Sequence, residues 1–510
     1  MKKFDSLTYL INTLSKAEKK QFAISSSKGE STKDYLTLYN LITKSDSVNE
    51  ESIVKEFRKT EKKASFEIAV HYLYEKILDS LVLLRKKKDI YYSLFQKLCK
   101  AELLYERSMF RECFDILNSV IEKARENQVY EILLMATKLE LEYLLRLDFP
   151  NISEKELSQK HYQQTESINH IRKITEQASL YNLLKHRLTY KGDVRSRKQE
   201  QSLNDLMISE MYIATSSGNK ESNFEMTKKH KLFQANYLMG IGDYSAALRS
   251  FRELSELFEN NTQFWANPPI YYISVLEGIL RSLRTMGNYE EMPYFAEKLK
   301  ELSDNYSLEF KINTLCIAFQ YELFPFFDKG DYAKCKEVIT LYKDDLFNKD
   351  SWLNPIRKSE LLLYTTLVYI GLEEYNRAKK TINSIIPEHN MEYLPIMKTI
   401  RLVKLIIYYE LGDHDFVRHQ SQSIRRGISL KKEQAFQTEH LILWYLNKVN
   451  LPVLSDERKK MLEKLDKKFK ELHNDKYEKQ LLSIFDFTIW IESKLLRKKI
   501  SYILNAKNQL

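Results

Sequence analysis

The chain of 510 residues contains 11 glycines and 9 prolines, about a third of their usual combined share of ~12%. Sandwiches, barrels, collagen-like stretches and flexible linkers spend these residues at turns, edges and spacers, so their scarcity excludes such architectures. Cysteine is also sparse. Cys99, Cys113, Cys316 and Cys335 are scattered without a C-x-x-C pair, which argues against a disulfide framework and a zinc ligand set and for reduced thiols. Long apolar runs are missing. The longest uncharged stretch, residues 260–276, holds Pro268, Pro269 and several polar residues, so it does not suit a single membrane-crossing helix. Met1-Lys2-Lys3 resembles the charged start of a signal peptide, but Asp5, Ser6, Thr8, Asn12 and Thr13 break any apolar segment behind it. A cytoplasmic protein with no membrane partner is the expectation.

What is present favours helix. Hydrophobic residues make up 43% and aromatics 12%, enough for a large core. Lysine, leucine and glutamate are abundant and are good helix formers. Helix content is expected well above ~60%, against an average of ~30–35%. The net charge of +10 is mild for this length, though residues 1–100 hold 20 Lys/Arg against 13 Asp/Glu. A solvated, lysine-rich surface accounts for that balance, and an acidic protein, a nucleic acid or an anionic membrane surface is the alternative.

Five glycines fall in register: Gly242, Gly287, Gly330, Gly371 and Gly412, spaced 45, 43, 41 and 41. A recurring glycine between helical patterns marks turns that end a helix in a left-handed residue. Asp243, Asn288, Asp331 and Asp413 follow four of them and suit the N-cap of a second helix. Aromatic residues come next (Tyr244, Tyr289, Tyr332, and Tyr375 after a longer turn), with His414 in the fifth unit. Small or apolar residues follow at helical spacing, for example Ala247, Phe251 and Leu254, or Ala378, Ile382 and Ile385. Pro269, Pro355 and Pro395 stand 18, 16 and 17 residues before Gly287, Gly371 and Gly412, as prolines in a first helical turn do. Pro325 is expected inside a first helix from about Ser307 to Lys329, where it would kink the helix.

The Gly-Asp-Tyr-x-x-Ala-x-x-x-Phe run at Gly242–Phe251 resembles the turn and second helix of a tetratricopeptide repeat, as do the runs at Gly330 and Gly371. The family's usual period is ~34 residues, so a period of 41–45 implies longer helices. The likeness is strongest over residues 225–426. Ser108 to Cys113 resembles one further copy, and turns near Asp148–Asn151 and Gly192–Val194 would mark two more helical pairs. The resemblance implies an all-α solenoid of helical pairs that binds protein or peptide segments, without shared chemistry and without a cofactor.

Three segments follow: a helical front end at 1–90, the repeats at 91–430, and a helical cap at 431–510. The front end reads as helices near 6–25, 33–44, 50–60 and 65–86, with a capping box at Ser15 to Glu18 that divides the first. In the cap, Met461, Leu462, Leu465, Phe469 and Leu472 make an apolar stripe, and a last helix spans Phe485 to Leu504. A four-helix front end before long-period repeats also resembles, in layout, peptide-sensing regulators of the Rap type. Such a likeness implies a peptide-gated output carried by the front helices.

The motifs that suggest chemistry also read as packing. Gly240-Ile241-Gly242 lacks the third glycine and the preceding strand of a dinucleotide loop. His414 and His419, near Asp413 and Asp415, fall on different helical faces, so His414 is read as the wedge of its repeat rather than a metal ligand. Arg85-Lys86-Lys87-Lys88 suits the negative end of a helix dipole, and the lysines of 458–470 suit a solvated face. Arg187, Lys191, Arg195, Arg197 and Lys198 surround Tyr190, with Asp193 opposing, and form the alternative nucleic-acid patch.

In tetratricopeptide-like repeats the first helix of each pair lines the concave side. Glu277, Arg281 and Arg284 fall on one polar stripe of such a helix, with Asn236 and Gln320 at equivalent offsets in its neighbours. These five residues are the candidate partner site, suited to an acidic or carboxyl-terminal segment. A plain Glu277–Arg281 surface pair is the alternative for that stripe.

Overall fold

The computed structural model describes residues 3–26, 34–44, 49–61, 64–191, 194, 196–216, 223–304, 306–385, 395–430, 436–447 and 455–508. Among these residues 84% are helical and no strand occurs, so the protein is all-α, as the composition predicts. The chain divides into two compact units, Met1–Lys173 with 305–310, and Ile174–Asp304 with Lys311–Leu510.

In the first unit α1 (Lys3–Thr13), α2 (Lys16–Ser26), α3 (Asp34–Lys44), α4 (Glu50–Thr60) and α5 (Phe66–Lys88) surround one core, built on Leu7, Ile11, Phe22, Leu38, Phe57 and Leu73. The capping box separates α1 from α2: Ser15 N donates to Glu18 Oε2 at 2.6 Å, and Glu18 N to Ser15 Oγ at 3.3 Å. A second core of Leu94, Leu98, Cys113, Leu117, Ile132 and Ala136 joins α6 (Ile90–Glu106), α7 (Phe110–Glu126) and α8 (Tyr130–Arg146). The boundary between the units falls within the long α9 (Glu154–Lys191).

The second unit opens with the short α10 (Arg197–Gln201) and α11 (Asn204–Ser216). Helical pairs follow: α12 (Phe224–Gly240) with α13 (Tyr244–Glu259), α14 (Ile270–Thr285) with α15 (Met292–Ser303), and α16 (Leu308–Phe327) with α17 (Tyr332–Leu341). Two more are α18 (Pro355–Gly371) with α19 (Tyr375–Asn383), and α20 (Pro395–Glu410) with α21 (His414–Leu430). Next come α22 (Gln437–Leu446), α23 (Ser455–Asn474), α24 (Glu478–Leu482), α25 (Phe487–Leu496) and α26 (Ile500–Asn508). The arrangement is repeat-like. α12 packs on α13 and α13 on α14, while α12 also meets α14, α18 meets α20, and α20 meets α22.

One turn recurs, and its hydrogen bonds explain the glycine register. Asp243 N donates to Leu238 O at 2.9 Å while Gly242 N donates to Met239 O at 3.2 Å, which closes the helix end with a left-handed residue. Gly242, Gly287, Gly330 and Gly412 all have φ between 74° and 84°. Asp243, Asp331 and Asp413 then cap the following helices through Ala246, Lys334 and Phe416 N–H. The expectation fails at Asn288, whose amide instead donates to Glu291.

Gly371 is a different case. It ends α18, and the left-handed residue is Glu373 at φ 62°. Its glycine serves close approach: a Cβ there would lie 2.4 Å from the ring of buried Tyr332, the wedge aromatic of the preceding pair. The same turn also forms with Ser108, Gln128 and Asp148 in the left-handed position. The Ser108 and Asp148 turns match expectation. Of the Gly192–Val194 turn, Gly192 and Asp193 lie outside the described residues. α9 is one unbroken helix of 38 residues, so the two extra pairs of ordinary length do not form.

Three further expectations change. Pro325 lies inside α16, as expected, but the helix stops at Phe327 rather than near Lys329, which puts the proline in the last turn. His414 is exposed and only edge-on to Tyr409; Phe416 is the residue that stacks, on Tyr408 at 3.9 Å. The single last helix is two, because Arg497 adopts φ 55° between α25 and α26.

The segment expected to cap the array also returns to its earlier turns. Lys476 and Tyr477 bond Glu200 at 2.9 and 2.7 Å, and Gln480 Nε2 donates to Val194 O at 3.1 Å. Trp490 Nε1 and Lys494 Nζ reach Glu410 at 2.7 and 2.8 Å.

Gly371→Ala and Gly427→Ala separate close approach from helix propensity. Alanine is the better helix former by about 1 kcal/mol, and Gly427 has nothing near its Cβ direction. Gly427→Ala is expected to raise the thermal midpoint, and Gly371→Ala to lower stability by about 1–3 kcal/mol through overpacking. Equal gains at both sites would refute the packing role of Gly371.

Candidate functional site

Four of the five candidate partner residues, Glu277, Arg281, Arg284 and Gln320, line one cavity of about 490 Å³ in the second unit. The fifth, Asn236, is buried and connects to it through Lys185, whose Nζ donates to Asn236 Oδ1 at 3.0 Å. First helices supply most of the wall: α14, α16, α18 and α20, joined by α9, the start of α22, and residues 480–484. Helical periodicity turns their apolar faces to the packed layers, which leaves polar stripes toward the cavity.

The charges are cross-linked between helices. Arg357 NH1 and NH2 donate to the two Glu277 oxygens at 2.7 and 2.5 Å, and NH1 also reaches Glu360 at 3.0 Å. Burial pushes the Glu277 carboxyl up, but the charge and hydrogen bonds of Arg357 outweigh it and hold the group below its ordinary value. The plain Glu277–Arg281 surface pair is therefore not the arrangement: the carboxylate binds Arg357 on α18 in bidentate fashion. Beneath, Cys316 Sγ on α16 lies 3.7 Å from Arg357 O, and Gln320 Nε2 lies 3.9 Å from that sulfur.

Arg284 is committed as well. Its Nε and NH2 donate to the Asp328 oxygens at 2.9 and 2.8 Å, and its side chain is only 9% exposed. The guanidinium lies 3.5 Å from the Phe324 ring centroid, and NH1 reaches Tyr364 Oη at 3.4 Å. Burial disfavours its charge, yet Asp328 outweighs that and raises its proton affinity. The expectation that Arg284 receives a partner's carboxylate is at odds with this geometry, since its strongest donors already serve Asp328.

The remaining polar wall carries both signs. Lys185, Arg281, Lys398, Glu360 and Glu439 all line the cavity, together with Tyr321, Tyr364 and Phe436. Such a mixture can hold an extended polar chain by hydrogen bonds and aromatic contact. A smaller cavity of about 300 Å³ shares Arg284, Thr285, Ser483 and Ile484 with the first, so residues 483–484 stand at the border of both. Sequence reasoning missed Arg357, Lys185 and Lys398. Arg357 had a legible signal, since it follows Glu277 by 80 residues, close to two periods. Residues 480–484 had none, because the chain returns to the repeats after a long detour.

The alternative nucleic-acid patch is partly occupied by internal bonds. Arg187 donates to both Asp205 oxygens and to Ser202 O, each at 2.7 Å. Arg197 and Lys198 are exposed on α10, Lys191 ends α9, and Arg195 lies outside the described residues. Among the described residues no group of three His, Cys, Asp or Glu is placed to hold a metal ion, and no helix is long and apolar enough to cross a membrane. Cys113 and Cys335 are buried, which pushes their thiols up to about 11 and about 12.

No protein-family model, curated protein or solved structure matches the chain.

The Glu277 pair has a pH signature. A carboxylate held below its ordinary value of 4.5 contributes stability that is present above that value and lost as pH falls through the folded one. The gap in thermal midpoint between the parent and Glu277→Gln is expected to be constant between about pH 6 and pH 8 and to shrink below about pH 4.5. A gap that stays constant in acid would contradict the pairing.

Proposed function

We propose that the protein is a non-enzymatic, long-period tetratricopeptide-like α-solenoid that binds a protein or peptide segment along its concave face. Support comes chiefly from one observation: Glu277, Arg281 and Arg284 of α14 and Gln320 of α16, chosen by spacing alone, line a single cavity. The turn repeated at Gly242, Gly287, Gly330, Glu373 and Gly412 supports the repeat assignment, because it is the feature on which the resemblance rests. In this reading an acidic segment meets the polar wall that Arg281 and Lys398 help to line. Arg284 and Arg357 hold the wall.

The two bidentate pairs decide the test. Arg284→Glu would leave Asp328 beside a second carboxylate in a buried site, with an expected cost of about 3–5 kcal/mol, and so reports folding rather than binding. Arg281→Glu leaves the Glu277–Arg357 and Arg284–Asp328 pairs in place. Partner capture from native cells, with mass-spectrometric identification, is expected to yield a protein retained by the parent and lost at least tenfold with folded Arg281→Glu. Its binding is expected to fall less steeply with salt than phosphate contacts would impose. Equal capture by both proteins would remove Arg281 from the site.

A further inference from the structure

The join between α5 and α6, in the first unit, exposes an unusual combination of side chains. α5 ends in Arg85, Lys86, Lys87 and Lys88, and one residue, Asp89, separates it from α6. Asp89 caps α6 by accepting Tyr91 N–H at 3.0 Å and lies 3.8 Å from Arg85. The helix dipole accounts for cations at this end of α5. It does not account for the exposed apolar groups around them: Val82 (55% exposed), Leu83, Ile90, Tyr91, Tyr92 and Phe95 (44%). Arg85 lies over the Tyr92 ring, 5.3 Å from its centroid.

We propose that this corner is a contact for an anionic lipid surface. Charge complementarity sets the sign of the partner, since residues 85–89 carry four cations and one carboxylate, Asp89, which caps α6. The distribution of apolar groups selects the class. Ile90, Tyr91 and Tyr92 are consecutive, so their side chains spread round the helix by about 100° per residue. A protein groove takes one stripe of a helix, at i, i+3, i+4 and i+7. Exposed apolar groups that surround a helix end are covered together by a medium that wraps it, as the interfacial layer of a bilayer does. Tyrosine and lysine suit that layer, the ring at headgroup depth and the ammonium among the phosphates. Single-stranded nucleic acid would use the tyrosines and cations but would leave Val82, Leu83 and Ile90 in water. A lipid contact departs from the expectation of no membrane partner, which rests on missing apolar runs; a peripheral contact of this kind has no hydropathy signature.

The test is co-sedimentation of the full chain with phosphatidylcholine vesicles, with and without phosphatidylserine, at low and high salt. Oligo(dT) binding is measured in parallel. The expected result is binding to the anionic vesicles, weakened by salt. Lys86→Ala with Lys87→Ala and Lys88→Ala is expected to weaken it roughly a hundredfold, about fivefold per cation. The triple Lys→Arg variant should bind as the parent does, and Tyr92→Ser with Phe95→Ser should weaken binding without removing its salt dependence. Unchanged circular dichroism shows that each variant is folded. Equal sedimentation with both vesicle types, binding indifferent to these substitutions, or retention by oligo(dT) without retention by vesicles would each overturn the proposal.

Discussion

The bidentate pair between Glu277 on α14 and Arg357 on α18 ties together two helices that are far apart in the chain. The two residues belong to first helices two pairs apart, with α16 between them in the chain. Their charged groups meet only if those helices converge on one side. Charges withdrawn from water must be matched closely, because one left without its partner costs several kcal/mol. Arg284 with Asp328 repeats the device one pair nearer, from α14 to the end of α16. The cavity wall is thus fixed by cross-helix charge pairs laid over an apolar interior, and this leaves Arg281 and Lys398 as wall residues outside those two bidentate pairs.

Helix and turn chemistry were legible because local rules set them. A left-handed residue must close each helix, glycine takes that conformation at least cost, and four of the five registered glycines hold it. Gly371 broke the pattern: a tight approach by Tyr332 also demands glycine, and the left-handed role passed to Glu373. Ser108, Gln128 and Asp148 show the converse, the same turn without the glycine that would announce it. Sequence periodicity cannot separate these cases, since one residue type answers to two different physical demands.

The candidate site was legible in its placement and illegible in its pairing. Counting back from turn residues put Glu277, Arg281, Arg284 and Gln320 on one face, and they do share a cavity. Whether a charged side chain on that face is spent on the fold depends on its neighbours one or two pairs away. That information lies about 80 residues distant in Arg357 and about 44 in Asp328, where Glu and Arg are common enough to hide it. The return of residues 476–494 to Glu200, Val194 and Glu410 was illegible for a related reason: no local pattern encodes which earlier turn a late helix will meet.

The central claim is that Glu277 and Arg357 act as a unit that holds α14 and α18 together. A double-mutant cycle on thermal and urea unfolding, with Glu277→Gln, Arg357→Gln and the pair, measures this directly. The account predicts that the two single losses sum to more than the double loss, with a coupling energy of about 1–3 kcal/mol. Losses that add to within about 0.5 kcal/mol would show that the two residues contribute independently, and the charge-paired wall would then not be what shapes the cavity.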